Sequence, residues 1–335
     1  MTGPLRGRSG RLLAGSATAA GVLLVMVTWA WHPVSGPTAL AAILLPHLLL
    51  VAILAGAVGA GLDRTRWSSM ALAALVLVTG ARLGSEWLSA PRADDKPGAL
   101  TILSWNLEAG SRATDDLPAD LLAYEADVVA LQEVTRRAAT VIDADAGLRA
   151  RYPYRVLTPN DGAIGMGILS AYPIGATAAS DLPPTQTVTL DIGGSQPLHV
   201  LNAHPLPGRI EAATPLRLPV KFDGSGRDES LRAIRAGVDE LLATGEPVIL
   251  AGDFNVASTE SAYEPLSRGL LDAHVEVGLG PGWTWRPSRL ESLDLGLLRI
   301  DYVFSSPTVV PVSTRVDCSP PGDHCAMIVR LVVPR

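Results

Sequence analysis

The stretch VILAGDFN, residues 248–255, joins an apolar run to a glycine, a carboxylate and an amide. Val248 to Ala251 reads as a short buried strand, because Gly245 and Pro247 end the helical pattern before it. A strand end is a rigid platform, so Asp253 and Asn255 would be held there in fixed positions. On its own, Gly-Asp-Phe-Asn can equally be an Asx turn.

Polar groups occur in a similar setting at five other places, most of them directly after an apolar run. Each has an ordinary explanation alone, since a Glu after a strand is most often a solvated loop residue and a His there most often a structural one. Six such places in one chain are harder to explain in that way. The other five are Ser104-Trp105-Asn106, Leu131-Gln132-Glu133, Asn202-Ala203-His204, Arg299-Ile300-Asp301-Tyr302 and Gly322-Asp323-His324.

Around these places, β-type runs alternate with helical patterns, which predicts a mixed α and β domain over residues 99–335. One helix is predicted over 228–243, where apolar residues recur at helical spacing, and another over 117–124. No internal repeat is found. The predicted strands cover residues 100–105, 127–131, 165–170, 188–192, 198–202, 248–251, 300–304 and 328–333.

In this order, the segments resemble the endonuclease/exonuclease/phosphatase family, which includes DNase I-like nucleases, abasic-site endonucleases, neutral sphingomyelinases and inositol phosphatases. The resemblance covers residues 100–335 and implies a four-layer α/β sandwich of two mixed β-sheets flanked by helices. It is most specific in LSWNL (103–107), ALQEV (130–134), ILAGDFN (249–255), RIDYVF (299–304), GMGILSAYPI (165–174) and the closing Asp323-His324.

The resemblance also implies a metal site for Mg²⁺ or Mn²⁺. Glu133 would be the primary ligand, because hard cations favour carboxylate oxygen. Asn106 would act beside it, directly or through a water, and Asp323 would complete the acidic group. Zinc is less expected, since the histidines show no paired ligand spacing.

The catalytic roles follow from the same resemblance. His324 would be the general base or the phosphate-binding imidazole, and Asp301 would orient its ring. Asp253 would position the attacking water. Asn255 and His204 would donate hydrogen bonds to the phosphate.

Two departures from the family pattern are visible. Ala171 stands where many relatives have Arg, which puts one substrate or structural contact in doubt. Cys-Ala-Met follows His324 in place of the frequent Leu-Pro-Val. A disulfide of Cys318 with Cys325 would replace the stiffness that the proline supplies, although two reduced thiols are the alternative.

The first ninety residues contain three apolar runs, over residues 12–31, 38–62 and 67–83. A bilayer core of about 30 Å needs about 20 helical residues, so residues 1–88 are predicted to be an anchor of about three transmembrane helices. Residues 89–98 read as a polar, proline-broken linker. A cleaved signal peptide or buried soluble helices are less favoured alternatives.

The positive-inside rule gives an orientation. Arg6, Arg8 and Arg11 precede the first run, and Arg64 and Arg66 lie between the second and third, whereas 32–37 holds no Lys or Arg. This predicts a multi-pass protein of the cell membrane with an extracytoplasmic catalytic domain. If only two helices insert, the domain faces the cytoplasm instead.

Charge separates the possible substrates only weakly. Of the 27 basic and 33 acidic residues, eight and four precede residue 97, so the remainder holds 19 and 29 and is net acidic. A non-specific nucleic-acid binder usually has a basic face. The expected substrate is a phosphodiester of a nucleic acid or of a phospholipid, and no protein partner is implied.

The expected function is divalent-metal-dependent hydrolysis of phosphodiester bonds, most similar to that of a nuclease. A phospholipid phosphodiesterase or a phosphatase of the sphingomyelinase or inositol phosphatase kind is the alternative. An inactive binding module is less expected, because every acid and imidazole of the pattern is present. A function in the helices themselves is least expected. Residues 205–226, rich in Pro, Gly and Arg, are expected to form a substrate-side loop.

Overall fold

The computed structural model describes residues 3–31, 33–89, 99–109, 115–213 and 218–334. Residues 90–98 of the predicted linker therefore lie outside the described residues. The chain forms two compact units. The first comprises Met1–Ser85, Arg209–Ser225 and Ser258–Ser261, and the second comprises Glu86–Gly208, Gly226–Ala257 and Ala262–Arg335.

The described residues form α-helices and β-strands, which are numbered here in chain order. The helices are α1 Gly3–Ala30, α2 Pro37–Ile43, α3 Leu45–Asp63, α4 Arg66–Trp87, α5 Leu117–Ala123, α6 Arg136–Ala144, α7 Ala146–Arg151, α8 Ser225–Ala243, α9 Tyr263–Ser267 and α10 Ala273–Val277, with a 3-10 helix at Ser288–Leu293. The strands are β1 Ser35–Gly36, β2 Leu100–Asn106, β3 Val128–Gln132, β4 Tyr154–Thr158, β5 Met166–Ser170, β6 Ile174–Asp181, β7 Pro184–Leu190, β8 Leu198–Ala203, β9 Arg209–Ala213, β10 Leu218–Asp223, β11 Val248–Asp253, β12 Leu271–Asp272, β13 Asp301–Ser305, β14 Val310–Asp317 and β15 Ala326–Val332.

Three helices of the N-terminal region are long and apolar enough to cross a membrane: Gly7–Ala30, Leu45–Asp63 and Arg66–Trp87. They overlap the three predicted apolar runs and imply membrane association. The second run, 38–62, is divided in the structure between α2 and the candidate span that begins at Leu45. Helices α1 and α3 pack closely at two glycines, since a Cβ on Gly59 would lie 2.6 Å from the Ala14 nitrogen, and one on Gly10 equally close to the Gly59 oxygen. Small residues of this kind let apolar helices approach each other.

The stretch expected as a substrate-side loop contains a β-hairpin instead. Strands β9 and β10 pair antiparallel, and β10 also pairs with β1 in the register Ser35↔Asp223. The hairpin belongs to the first unit. The pattern of 205–226 does not predict this sheet, because β10 takes its second partner from a segment about 190 residues earlier in the chain.

The second unit contains two six-stranded mixed sheets. Their strand orders are β14-β15-β2-β3-β5-β4 and β12-β13-β11-β8-β7-β6. Most neighbours are antiparallel, and the parallel pairs are β2 with β3 and β8 with β11. The predicted fold class, two mixed sheets flanked by helices, is confirmed.

Alternating side chains of the strands explain the layers, because successive residues point to opposite faces of a sheet. Ile102, Ala130 and Val200 lie in the buried cluster between the two sheets. Their neighbours Leu103 and Val129 point the other way, into a second cluster that α5, α6 and α7 cover. Leu250 and Phe304 lie in the corresponding outer cluster of the other sheet, with residues of α8.

Residues 86–89 make defined contacts within the second unit. Arg299, fully buried, donates from Nε to Glu86 Oε1 at 2.9 Å and from Nη1 to Asp272 Oδ2 at 2.7 Å. Burial alone would lower the pKa of Arg299, but Asp272 and Glu86 raise it well above its ordinary value. The Gly280 N–H donates to the Trp87 carbonyl at 2.8 Å.

Candidate active site

The sheet topology explains why six distant segments meet. The parallel strands β2 and β3 end side by side at Asn106 and Gln132, and β8 and β11 end side by side at Ala203 and Gly252. Strand β13 is antiparallel to β11, so its first residue, Asp301, pairs with Asp253 at the same edge.

The remaining segment reaches the same place through β15. This strand is antiparallel to β2, with Met327 opposite Ser104, so His324 precedes β15 near the end of β2. The Trp105 indole N–H donates to the His324 carbonyl at 3.3 Å. The eight predicted site residues therefore converge at one edge of the two sheets.

Asn106 links two of the predicted carboxylates. Its Nδ2 donates to Glu133 Oε1 at 3.1 Å and to Asp253 Oδ2 at 3.0 Å. Glu133 Oε2 accepts from the Ala109 N–H at 2.7 Å. Glu133 has φ 55°, in the left-handed region that non-glycine residues rarely adopt.

His204 faces the same carboxylates from β8. Its Nε2 lies 3.4 Å from Asp253 Oδ2 and 3.7 Å from Glu133 Oε1, while Nδ1 lies 2.8 Å from the Ala163 carbonyl oxygen. Burial by itself lowers the pKa of His204, but Asp253 and then Glu133 outweigh it and raise the pKa. With Nδ1–H donating to Ala163, a donating Nε2–H requires the imidazolium form.

His324 and Asp301 form a buried pair. His324 Nδ1 lies 3.0 Å from Asp301 Oδ2 and 3.2 Å from Oδ1, and Nε2 lies 3.5 Å from Asp253 Oδ2. Burial opposes the charged ring, but Asp301 and Asp253 outweigh it and raise the pKa of His324 to about 10. The ring is therefore an imidazolium at neutral pH, with Nε2 directed at Asp253.

Asn255 lies beside Asp253 on the turn after β11. Its Nδ2 donates to the Pro205 carbonyl at 3.0 Å, and its N–H donates to Asp253 Oδ1 at 2.9 Å. Asn255 also has a positive φ, of 52°. The buried Arg227 of α8 donates to the Asn255 carbonyl at 2.8 Å and fixes this turn from behind.

Asp323 lies at the outer side of the group. Its Oδ2 accepts from the Trp285 indole N–H at 3.3 Å, and its Oδ1 is 4.0 Å from His324 Nε2. Partial burial, opposed by His324 and assisted by Glu108, raises the pKa of Asp323 to about 6.

The loop with Asp323 and His324 is held at several points. Cys318 and Cys325 form a disulfide, as the sequence favoured. Arg286, fully buried, donates from Nε to the Gly322 carbonyl at 3.2 Å and from its backbone N–H to the Asp323 carbonyl at 2.8 Å. These contacts position the loop.

Several contributing residues have no role in the sequence-based prediction. Thr284 Oγ1 accepts from the Asp301 N–H at 3.1 Å. Gln132 Nε2 donates to Asn202 Oδ1 at 2.7 Å, and this buried amide pair joins the two sheets directly beneath the site. Gln132 and Asn202 could have been found from the sequence, because each is a polar residue within an apolar strand run. A buried polar side chain needs a hydrogen-bond partner.

Gly252 permits the close approach of β11 to β8. A Cβ there would lie 2.0 Å from the Ala203 oxygen, and φ is +146°. Any other residue would separate Asp253 from His204. The glycine of the GDFN segment is therefore required by the site geometry.

The donor set fits a hard divalent cation. Ligand atoms of Asp253, Asp301 and His324 lie within 4.8 Å of one another, and Asn106 links Asp253 to Glu133. The His324 imidazolium offsets part of this negative charge, and a divalent cation near Glu133 would offset the rest. Oxygen donors of this kind suit Mg²⁺ or Mn²⁺.

Comparison with known proteins agrees with this geometry. Residues 103–324 match the Endonuclease/Exonuclease/phosphatase family. The chain belongs to this family. It is therefore a phosphoesterase-type hydrolase, and members of the family are divalent-metal dependent. No curated protein matches the sequence.

Solved structures show the family fold over most of the chain. TDP2 of D. rerio, in complex with a single-strand DNA product, is 18% identical with TM-score 0.54, covering 70% of this chain and 100% of that one. The 3' phosphatase NExo from Neisseria, bound to a product DNA hairpin, is 20% identical with TM-score 0.53, and the match covers 69% of this chain and 98% of NExo. An endonuclease/exonuclease/phosphatase from Beutenbergia cavernae is 21% identical with TM-score 0.51, and the match covers 70% of this chain and 72% of that protein.

Proposed function

We propose that this family member is a membrane-anchored, divalent-metal-dependent phosphodiesterase with an extracytoplasmic catalytic domain and a nuclease-like reaction. The observation that supports this most strongly is the convergence of the eight predicted site residues, each of which lies within 4.0 Å of another member of the group. Two of the similar solved structures hold DNA products, which favours nucleic acid as the first substrate class to test.

Glu133 and Asn106 are the proposed primary metal ligands, with Asp323 as an outer carboxylate. The bound cation would neutralise phosphate charge and acidify a coordinated water. The side chains around it supply the remaining chemistry.

Asp253 is the proposed residue that orients the attacking water. Burial opposes its charge, but His324 and His204 lower its pKa below the ordinary value, so it is ionised at neutral pH and accepts hydrogen bonds. Its Oδ1 accepts from the Asn255 N–H, and its Oδ2, which accepts from Asn106 Nδ2 at 3.0 Å, faces the site.

Three donors are available for the phosphate. His204 and Asn255 are proposed to donate from Nε2 and Nδ2 to non-bridging oxygens. His324, held as an imidazolium by Asp301, donates from Nε2 to the phosphate or to the leaving oxygen. Of the two roles predicted for His324, its high pKa favours the phosphate-binding one over that of general base.

A phospholipid phosphodiester is the second candidate substrate. The three helices with the length and composition to span a membrane favour it, because they would keep the enzyme near lipid. The net acidic charge of residues 97–335 favours it over nucleic acid as well.

The test is hydrolysis by the full chain in lipid nanodiscs. The substrates are bis(p-nitrophenyl) phosphate, plasmid DNA, RNA and phospholipid, each with Mg²⁺ and with excess EDTA. We expect metal-dependent hydrolysis that Glu133→Gln abolishes and that Glu229→Gln, a change on the exposed face of α8, leaves intact. Full activity of Glu133→Gln would contradict the ligand assignment.

The orientation is tested separately. Leu182 is 82% exposed, so a cysteine there should react in intact cells with a membrane-impermeant maleimide. Labelling only after lysis would place the catalytic domain in the cytoplasm, as two inserted helices require.

A further inference from the structure

The second unit exposes an unusual group of apolar side chains. Leu88 is 77% exposed, Leu279 73% and Leu295 44%. Leu279 and Leu295 line one cavity of about 420 Å³ together with Trp283. We call Leu88, Leu279, Trp283 and Leu295 the leucine patch. Exposed apolar groups that cluster in this way mark a surface that something covers.

The leucine patch adjoins the end of the third candidate span. Helix α4 ends at Trp87, whose ring makes an edge-on contact with Trp283 at a centroid distance of 6.2 Å. The Gly280 N–H, next to Leu279, donates to the Trp87 carbonyl at 2.8 Å. The patch is therefore tied to the residue at which an apolar helix would leave the bilayer.

We propose that the leucine patch rests in the lipid headgroup region of the bilayer that α4 crosses. Chain continuity identifies the occupant, because Leu88 directly follows the last residue of the span. Tryptophan is enriched at this depth of a membrane, where its ring is partly apolar and its N–H can reach water. Leucines beside it would bury apolar surface in the same layer.

Charge around the cavity is compatible with lipid. Its lining contains no carboxylate side chain, and its cationic residue is Arg315. Arg315 pairs with Asp317 at 3.3 Å, so the surface is close to neutral and would bind through its apolar groups. The leucine patch and the active site belong to the same unit. Contact with lipid would therefore hold the catalytic unit in one orientation relative to the membrane.

This inference rests on the proposed anchor, so its test includes a control for the anchor. The chain has two cysteines and both are in the disulfide, which leaves an introduced cysteine as the single free thiol. Full-length Leu279→Cys, Leu77→Cys and Leu182→Cys are labelled with an environment-sensitive dye and placed in nanodiscs. Leu77 is 72% exposed in α4, and Leu182 is 82% exposed on the catalytic unit.

Emission is compared between nanodiscs of ordinary and of brominated phosphatidylcholine, so that quenching by nearby tryptophan cancels in the ratio. We expect the dye at residues 77 and 279 to lose most of its emission in brominated lipid and the dye at 182 to lose none. Hydrolysis of bis(p-nitrophenyl) phosphate in the same samples tests the proposed chemistry independently.

Three outcomes would overturn the inference. A dye at 279 that behaves like the one at 182 shows that the leucine patch does not touch lipid. A dye at 279 shielded from aqueous iodide but not quenched by bromine shows that protein, such as a second copy, covers the patch. An unquenched dye at 77 refutes the anchor and this inference together, whatever the hydrolysis result.

Discussion

Replacement of Asp301 by Asn isolates the contribution of one buried charge to catalysis. Asp301 is fully buried, and both carboxylate oxygens lie within 3.2 Å of His324 Nδ1. Asn has nearly the same shape and volume, so the strand pairing of β13 and the hydrogen bond to Thr284 should persist. The change removes the charge that stabilises the imidazolium.

The magnitude follows from the single N–H that His324 directs at Asp301. A hydrogen bond to a charged group contributes about 1.5–3 kcal/mol, which corresponds to about 10- to 150-fold in rate if it acts in the transition state. The Asn side-chain amide can also hold the His324 ring in the wrong tautomer. In serine hydrolases the analogous change lowers kcat by about 10⁴-fold. We expect kcat for bis(p-nitrophenyl) phosphate to fall by about 10²-fold or more.

The assay compares kcat and the pH profile with those of the wild type. Asp301 contributes more than Asp253 to raising the pKa of His324 to about 10, so its loss should move the alkaline limb of activity to lower pH. Asp239→Asn, an exposed change on α8, is the control and should leave both unchanged. An Asp301→Asn enzyme with kcat within about threefold of the wild type would refute the proposed His324 dyad.

Two further predictions concern what supports the site. Reduction of the Cys318–Cys325 disulfide, which closes an eight-residue loop, should destabilise the catalytic unit by about 2.5 kcal/mol and lower the rate of hydrolysis. A variant with both cysteines replaced by Ala should have this lower rate from the start and should not respond to reductant. An unchanged rate after verified reduction of the wild type would contradict this prediction. Asp272→Asn should lower the free energy of unfolding by about 3 kcal/mol at neutral pH, because Glu86 is then the one carboxylate that pairs with the buried Arg299. The Asn side chain should still cap α10. Burial opposes the charge of Asp272, but Arg299 lowers its pKa, so this stability is present above about pH 4 and is lost as the pH falls through the folded-state pKa. The melting temperatures of the wild type and Asp272→Asn should therefore converge in acid, and a constant difference down to pH 2 would be the contrary result.

Much of the catalytic unit can be predicted from local sequence. The strand runs that end at Asn106, Gln132 and Asp253 are apolar and bounded by clear breaks, and the structure places strands there. The order of polar groups at these ends, rather than any single motif, led to the family. The roles of the site residues stay predictions.

The elements that were missed lack such a pattern. Strand β6 is almost entirely exposed, so it has no apolar alternation to detect. Strand β10 pairs with β1 from the other end of the chain, and β9 joins that sheet through β10. Thr284 and Arg227 form hydrogen bonds with backbone atoms of distant segments. Contacts of this kind produce no regular spacing of residues that a single sequence would show.

The most direct test of the account is the position of a bound Mn²⁺ ion. Crystals of the full chain soaked in Mn²⁺ would be measured at the manganese absorption edge. We expect an anomalous peak within about 2.5 Å of a Glu133 carboxylate oxygen and beside Asn106. A fully occupied Mn²⁺ peak elsewhere, with none among Glu133, Asp253 and His324, would contradict it.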